Sequence, residues 1–378
     1  MKIGIITWFT GSNYGTNLQA IALQYYLRKQ GYKVEIVNCE VESKYAKNRR
    51  TFFEKVAFQP EKYAEKFARH VFFKDEITSR DKKLANAIHK NCVLTKRCEN
   101  EKDLIDTFNS FDLLISGSDQ IWNPNWYHRF YFADYDGVAT RRISYAPSMG
   151  VTTIDPEVEQ EIRRSVSKYD VVSVREDKAV PLLEPYSKNK PVVVVDPTLL
   201  LDSDDWASIF SATGEISKED YVLGIFLEGT IRHMHAARRF AAEKHMKYVY
   251  VPYSGMSYYQ PGERHADAGL EDLLELFRNA KYVITDSFHM TVFSIIHRKQ
   301  FYTIARFKEN PITSTNSRIR NLLRMSGLQD RELKYGTKRI KELPEIDYDS
   351  HMAMLQQEID RSKQFLQESV RGEYKGEL

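Results

Sequence analysis

The chain has 378 residues, 42% of them hydrophobic and 12% aromatic, which is enough to bury the cores of about two domains. Lys and Arg number 55 against 52 Asp and Glu, so the overall charge gives no reason to expect a nucleic-acid partner. No run approaches the ~18 apolar residues of a membrane-spanning helix, and no apolar segment near the start is long enough for a signal peptide. The composition therefore predicts a folded globular protein.

The three cysteines bear on the compartment. Cys39, Cys92 and Cys98 are odd in number and show no CxxC spacing. This pattern favours free thiols in a reducing cytoplasm over a disulfide framework. We expect a cytoplasmic protein, and a basic segment described below would allow a peripheral position at the inner face of the membrane.

Short β-branched runs alternate with longer amphipathic stretches from end to end, the pattern typical of parallel sheets covered by helices. In the first part of the chain, strands are predicted at 2–7, 33–38, 112–116, 142–146, 170–174 and 192–196. The pattern restarts after Asp196-Pro197-Thr198, and further strands are predicted at 221–227, 247–251, 282–285 and 301–304; the polar residues 202–205 are the expected domain boundary. Apolar residues at helical spacing predict a terminal helix at 348–370.

This alternation predicts an α/β fold with two Rossmann-like domains that face a cleft. We expect the first domain to span residues 1–200 and the second 201–345, with the terminal helix in 346–378. In such folds the ligand binds in the cleft, at the carboxyl ends of the parallel strands. Residues that directly follow strands are therefore the first candidates for the site.

One segment of the first domain, residues 43–98, breaks the alternation. It carries fifteen Lys or Arg against six Asp or Glu, interleaved with aromatic residues. A basic helical insertion of this kind suits an anionic membrane surface or a lipid-linked diphosphate. The alternative is a solvated pair of helices whose aromatic residues pack on the first domain.

Two loops that follow strands carry side chains suited to a sugar. The first strand leads into Gly11-Ser12-Asn13-Tyr14-Gly15-Thr16-Asn17, a turn before a helix whose free N–H groups can meet an anion or a hydroxyl. The second loop spans 116–124 and contains Asp119, several amides and Trp122. Carboxylates and amides bind hydroxyls, and an indole ring packs on the C–H face of a sugar, although either loop could also serve only to connect and pack.

Two charged residues follow other predicted strands. Arg175 ends the strand at 170–174, where a guanidinium would point into the cleft and hold a carboxylate or phosphate. Pairing with one of the two acidic residues after it is the weaker alternative, because adjacent side chains on a helix do not face each other. His289 would lie in the first turn of a helix, where it can bind phosphate or protonate a substrate near neutral pH.

Taken in order, several segments resemble the polysaccharide pyruvyl transferase family. They are GIITWFTGSNYGTNLQAIALQ, ISGSDQIWNP, ISYAPSMG, VSVREDKAV, VVVVDPTLLLD and ITDSFHMTVFSII, spread over most of residues 1–300. The resemblance implies a pair of Rossmann-like domains of the glycosyltransferase-B type. It also implies transfer of a carboxyethylidene group from phosphoenolpyruvate to two hydroxyls of a sugar in cell-surface polysaccharide biosynthesis, with release of phosphate and formation of a cyclic ketal.

Carried over by position, Arg175 resembles the arginine that holds the donor carboxylate or phosphate, and His289 the histidine of the donor site in the second domain. Ser287 stands where many members have an arginine, and Met290 where a glycine is common. Arg306, just after a neighbouring strand, could supply the missing charge. The donor-binding residues are therefore expected to be Arg175, Ser287, His289 and Arg306.

On the acceptor side, the resemblance places Asn13, Gly15 and Asn17 in the loop that meets the sugar. To these we add Trp122 on the chemistry of its ring. No P-loop and no metal-ligand cluster occurs in the sequence, so we expect no metal and no cofactor, with phosphoenolpyruvate as co-substrate.

Pyruvyl transfer needs an acid that protonates the methylene carbon of the enol ether, and cations that hold the carboxylate and the phosphate. His289 is the candidate acid. Either Asp119 or Asp286 would orient or deprotonate the attacking hydroxyl, and we take Asp119 as the second catalytic residue.

Two other functions remain open from the sequence. A nucleotide-sugar-dependent glycosyltransferase shares the fold class and would use Glu271 or Glu275 on the ribose. A catalytically silent subunit of an assembly complex would tolerate replacement of Arg175 and His289. We expect a glycan or lipid-linked oligosaccharide as acceptor and no nucleic-acid partner.

Overall fold

The structure is a computed structural model that describes residues 1–41, 71–211, 219–228, 231–253, 255–308 and 316–376. Its first sheet has four parallel strands in the order β2-β1-β3-β4, and a parallel pair, β5 and β6, lies beside β4. The strands are β1 (Lys2–Ile6), β2 (Lys33–Ile36), β3 (Leu113–Ser116), β4 (Arg141–Ser144), β5 (Ser173–Val174) and β6 (Val192–Val193).

The second sheet has six parallel strands in the order β12-β11-β10-β7-β8-β9. They are β7 (Tyr221–Ile225), β8 (Lys247–Tyr250), β9 (Glu263–Arg264), β10 (Tyr282–Thr285), β11 (Gln300–Ile304) and β12 (Glu332–Leu333). The two edge strands β9 and β12 were not predicted, because two residues are too short to leave a pattern in the sequence. All residues of the inner strands β7 and β10 are buried, as expected where helices cover both faces of a parallel sheet.

Helices connect these strands and cover the sheets. Within the described ranges, none of them is long and apolar enough to cross a bilayer. They are α1 (Tyr14–Lys29), α2 (Lys74–Asn91), α3 (Glu101–Asn109), α4 (Pro156–Val166), α5 (Val180–Leu183), α6 (Ser203–Ile209), α7 (Ile231–Glu243), α8 (Leu270–Asn279), α9 (Phe288–Ile296), α10 (Ser317–Met325) and α11 (Tyr348–Arg371).

The molecule is thus an α/β protein with two Rossmann-like domains, and the strands of the two sheets fall on either side of residue 200. The predicted terminal helix is α11, which returns from the second domain to the first. Its Ser362 hydroxyl accepts the Val195 N–H at 3.0 Å, and Arg141 donates to the Val370 carbonyl at 3.0 Å. Leu366 on the same helix is fully buried in the core.

The basic insertion predicted at 43–98 lies partly outside the described residues, which omit 42–70. Its described helix, α2, packs on the second domain. Lys83 of α2 pairs with Asp267 at 3.0 Å and with Asp272 at 2.9 Å. Part of the charge of the segment is therefore neutralised by contact between the domains, and the anionic-membrane hypothesis stays a prediction from sequence.

Candidate active site

Four charged or titratable side chains from both domains meet in one buried cluster. Asp119 follows β3, Arg175 follows β5, Asp196 follows β6, and His289 is the second residue of α9, after β10. Each is at most 7% exposed. The carboxyl ends of the strands of the two domains therefore face each other here, and we call Asp119, Arg175, Asp196 and His289 the central cluster.

The Asp196 carboxylate is the hub of this cluster. Its Oδ2 lies 2.6 Å from Nη1 of Arg175 and 3.6 Å from Nε2 of His289, and it accepts the Ser118 hydroxyl at 3.0 Å. Its Oδ1 accepts the N–H and the hydroxyl of Thr198 at 3.0 and 2.7 Å. Burial alone would raise the pKa of Asp196, but His289 first and then Arg175 and Thr198 hold it well below its usual range.

β5 and β6 are shorter than the sequence predicts, because after each strand the chain turns away from the parallel pair at Arg175 and Asp196. The Arg175 N–H bonds to the Pro147 carbonyl at 3.2 Å, away from the β5–β6 pair. Pro197 has no N–H with which to continue a strand, and Asp196 caps the short helix Pro197–Leu200. The turns after β5 and β6 therefore direct the side chains of Arg175 and Asp196 into the cleft.

Asp119 is held in a strained backbone conformation, with φ at +72°. A non-glycine residue in such a region costs about 1–3 kcal/mol and persists only when its surroundings fix it. Its carboxylate accepts the Thr16 hydroxyl at 2.7 Å and the Gln120 N–H at 2.9 Å, and lies 3.7 Å from Nη2 of Arg175. Although burial alone would raise the pKa of Asp119, Arg175, His289 and Thr16 lower it.

This environment makes Asp119 a weak proton acceptor, because its charged form is already stabilised on both oxygens. The predicted role of Asp119 in deprotonating a hydroxyl is therefore not supported by its contacts. Its position suits a residue that fixes Arg175 relative to α1.

His289 lies against the first turn of α1, where the other domain provides a glycine. A Cβ placed on Gly15 would lie 2.0 Å from Nδ1 of His289. The opposite ring nitrogen, Nε2, is buried without a hydrogen-bond partner and faces Asp196 at 3.6 Å. Only glycine leaves room for the imidazole in this orientation.

We expect Gly15→Ala to displace the imidazole and to reduce kcat/KM about 100-fold, since a displacement of about 1 Å at a reacting group can cost that much. The Gly15 backbone is helical, so alanine itself is acceptable there. Thermal unfolding should show the same clash as a loss of stability. In a His289→Ala background, Gly15→Ala should cause a much smaller loss of stability. Equal losses in both backgrounds would contradict the contact between Gly15 and His289.

The sequence matches the model of the family described as polysaccharide pyruvyl transferase over residues 13–306. This match covers more than half of the chain. The chain belongs to the polysaccharide pyruvyl transferase family. It is accordingly a transferase of the kind that acts in polysaccharide biosynthesis.

Solved structures agree on the fold. A Listeria monocytogenes protein described as a UDP-N-acetylglucosamine 2-epimerase is 11% identical, with a TM-score of 0.52 over 100% of this chain and 98% of that one. The Methanocaldococcus jannaschii UDP-GlcNAc 2-epimerase in complex with UDP-GlcNAc and UDP is 12% identical, with a TM-score of 0.51 over 97% of this chain and 99% of that one. No curated protein sequence matched the chain. The structural likeness establishes the glycosyltransferase-B-like arrangement of this pyruvyl transferase family member and nothing about its ligand.

The predicted acceptor loop borders a cavity of about 360 Å³ between α1 and α2. Asn17 lines it, donates to the Gly11 carbonyl at 3.2 Å, and has a buried Oδ1 without a hydrogen-bond partner. Asn13 instead caps α1 by accepting the Gly15 N–H at 3.0 Å. Asn17 thus has a carbonyl oxygen beside this cavity with spare capacity for a hydroxyl.

Trp122 does not reach this cavity. Its ring is fully buried, stacked on Phe132 at 4.8 Å between ring centroids and edge-on to Tyr169 at 5.2 Å. Its N–H donates to the Tyr131 carbonyl at 3.3 Å. Because no face of the indole is open to a sugar, the structure does not support the predicted acceptor role of Trp122.

The remaining predicted donor residues, Ser287 and Arg306, are not members of the central cluster. Ser287 precedes α9 and is buried, and its carbonyl accepts the N–H of Thr291 at 3.0 Å. Arg306 is partly exposed and acts electrostatically on the carboxyl of Asp286. Both residues keep their predicted donor roles as hypotheses.

Asp286, the other candidate base, has a structural use. Its two oxygens accept the N–H groups of Leu227 and Glu228, at 2.7 and 3.3 Å, and so hold the loop after β7. Burial raises the pKa of Asp286 in spite of the opposing effect of Arg306. Although the raised pKa would favour a proton acceptor, both oxygens are engaged by this loop, and we therefore do not assign Asp286 to the attacking hydroxyl.

One member of the central cluster, Asp196, and one residue that acts on it electrostatically, Arg318, were not predicted as site residues. Asp196 could have been found, because it lies at the carboxyl end of a buried strand at the same edge as Arg175, but it was interpreted only as the last residue of a predicted strand. Arg318, on α10, gave no signal, since an arginine in an amphipathic helix is usually solvated. In the described part of the chain, no group of three His, Cys, Asp or Glu side chains is arranged to hold a metal ion.

Proposed function

We propose that this protein transfers the carboxyethylidene group of phosphoenolpyruvate to two hydroxyls of a glycan or lipid-linked oligosaccharide. The products would be a cyclic ketal and inorganic phosphate. The observation that carries the proposal is the placement of His289, whose unpartnered Nε2 faces Asp196 while Gly15 of the other domain packs on its ring. The family match supports the reaction class.

In the first step, protonated His289 would give its proton to the methylene carbon of phosphoenolpyruvate. This makes the neighbouring carbon electrophilic, because positive charge develops there and on the phosphate-bearing oxygen. Asp196 is suited to orient the ring and to compensate its positive charge before the transfer. The buried position of the cluster favours the step, since electrostatic interactions weaken when water enters.

In the second step, a sugar hydroxyl would add to this carbon and lose its proton to the now neutral His289. A second hydroxyl would then replace the phosphate, which leaves with its oxygen and takes up the remaining proton. The imidazole would thus act first as acid and then as base. This assignment removes the need for either Asp119 or Asp286 to accept a proton.

The acceptor would approach through the cavity beside Asn17. That cavity is lined by Phe9, Leu84 and Ile88 as well as by Ser12, and helix α2 forms one wall. A mixed apolar and polar lining suits a sugar, which presents both C–H faces and hydroxyls. The three free cysteines support a reducing compartment for the reaction.

Ligand-induced thermal stabilisation tests the donor. Phosphoenolpyruvate at one hundred times its dissociation constant should stabilise the protein by about 2.7 kcal/mol. A panel of nucleotide sugars serves as the comparison, and phosphate release on adding candidate glycans measures turnover. Stabilisation by a nucleotide sugar without any by phosphoenolpyruvate would favour the glycosyltransferase alternative.

The positions of the two glutamates weaken that alternative. Glu271 pairs with Lys90 of α2 at 3.1 Å, and Glu275 is buried at 3% exposure. Glu275 is thus closed off by burial, and Glu271 would have to give up a surface ion pair to bind a ribose. Unchanged turnover in vivo after replacement of both Arg175 and His289 would instead indicate a catalytically silent subunit.

A further inference from the structure

Arg318 is a buried cation of the second domain that enters the site of the first. It lies in the first turn of α10 and is 7% exposed. When the Gln120 amide is oriented with its carbonyl oxygen towards Arg318, that oxygen accepts from Nη2 at 2.7 Å and from Nη1 at 2.9 Å. The Nε atom of Arg318 is buried without a partner.

The way α10 packs fixes this position. Asn321 of α10 donates to the Arg175 carbonyl at 3.2 Å, and Arg324 lies 3.6 Å from the carboxylate of Asp177. The helix is thus held on the residues that follow β5. The contacts of Asn321 and Arg324 therefore hold Arg318 towards the central cluster. They do so independently of whether the charge of Arg318 is neutralised.

Arg175 and Arg318 differ in their counterions. Arg175 has Asp196 at 2.6 Å and Asp119 at 3.7 Å, so two carboxylates already balance its charge. Among the described residues, no carboxylate lies within 4.0 Å of the Arg318 nitrogens. Glu176 is the first among the acidic groups that act on Arg318 from farther away.

Glu176 does not form an ion pair with Arg318: its Oε1 is already occupied, and its buried Oε2, which has no hydrogen-bond partner, lies more than 4.0 Å from the Arg318 nitrogens. Its Oε1 accepts the Ser148 hydroxyl at 3.0 Å and the N–H groups of Met149 and Gly150 at 2.9 and 3.0 Å. Burial, followed by repulsion from Arg175, lowers the pKa of Arg318 to about 9. Burial of a guanidinium without a counterion costs free energy unless a bound anion balances its charge.

We propose that Arg318 is the main cation for the anionic end of the donor. The inference rests on the proposed function, because it identifies a donor-binding residue of that site. Arg318 shares the site with the other groups, since Arg175, His289 and Arg318 all act electrostatically on Asp119. A guanidinium with two parallel N–H groups fits either a phosphate or a carboxylate.

Calorimetric binding of three probes to the full chain tests this role. The probes are inorganic phosphate, pyruvate and phosphoenolpyruvate, and the variants are Arg318→Gln, Arg318→Lys and the control Arg320→Gln. Arg320 lies two residues along the same helix, is exposed, and pairs with Glu332 at 2.9 Å. Arg318→Gln should weaken phosphoenolpyruvate binding about 10- to 100-fold, and Arg318→Lys should weaken it less, while the control should match the wild type.

The small probes identify which end of the donor is held. A loss confined to phosphate assigns Arg318 to the phosphate, and a loss confined to pyruvate assigns it to the carboxylate. If Arg318 were purely structural, Arg318→Gln would lower the unfolding temperature of the free protein and leave the three affinities unchanged. The proposal expects the unfolding temperature of the free Arg318→Gln protein to be unchanged or higher.

The outcomes for the inference and for the proposed function are separate. Equal affinities of the wild type and Arg318→Gln for phosphoenolpyruvate would overturn the role of Arg318 and leave the donor assignment in place. UDP is added as a fourth probe, and UDP binding that replaces phosphoenolpyruvate binding and is lost in Arg318→Gln would keep the anion-binding role and overturn the donor. A wild-type protein that binds none of these probes would overturn both.

Discussion

His289→Gln should reduce kcat about 10²- to 10⁴-fold while the affinity for the donor changes little. Glutamine has a similar reach and can still donate and accept hydrogen bonds, but it cannot protonate carbon. The initial rate of phosphate release from phosphoenolpyruvate with a competent acceptor measures the effect. A rise in KM with most of kcat preserved would instead mean that His289 only binds the donor.

His297 offers a matched control on the same helix. It is the residue that follows α9, and burial lowers its pKa to about 4, so it is neutral at the pH of the assay. His297→Gln should therefore retain activity. Equal losses in both variants would point to damage to α9 rather than to lost chemistry at His289.

Asp196→Asn should reduce both stability and activity. The change leaves Arg175 without its nearest carboxylate in a fully buried position, and breaking one partner of such a pair costs about 3–5 kcal/mol. Chemical denaturation at neutral pH measures the loss in the free energy of unfolding. Activity should fall with it, because the amide cannot compensate the positive charge of His289.

The stability that Asp196 contributes should depend on pH. The pKa of Asp196 is lower in the folded protein, so the unfolded chain binds the proton more tightly. The stabilisation is therefore fully present above the unfolded value of about 3.9 and is lost as the pH falls towards the folded value. The difference between wild type and Asp196→Asn should shrink progressively below pH ~4.

A double variant, Asp196→Asn with Arg175→Met, is the control for charge. Removing both members costs less than removing Asp196 alone, because the guanidinium left without its nearest carboxylate is removed as well, although Asp119 then also loses Arg175. The double variant should regain part of the stability and none of the activity. A double variant less stable than Asp196→Asn would contradict the account of Arg175 as the residue left unpaired.

The parts of the fold and site that the sequence predicts are those with local signals. Alternating buried strands and amphipathic helices indicated both sheets, and the run after β10 placed His289 at the start of a helix. Trp122 was misjudged because a single aromatic residue in a loop gives no sign of whether Phe132 and Tyr169 will enclose it. Arg318 was missed because its burial depends on α10 packing against the other domain.

The return of α11 to the first domain has a consequence for how the chain folds during synthesis. Leu355, Phe365 and Leu366 of this helix belong to the same continuous core as Ile3 and Leu199. That core stays incomplete until about 170 further residues have followed the sixth strand, which takes about 10 to 30 s at typical rates of translation. The first domain thus leaves the ribosome with an apolar surface that α11 covers only later, and we expect any need for a chaperone to fall in this interval.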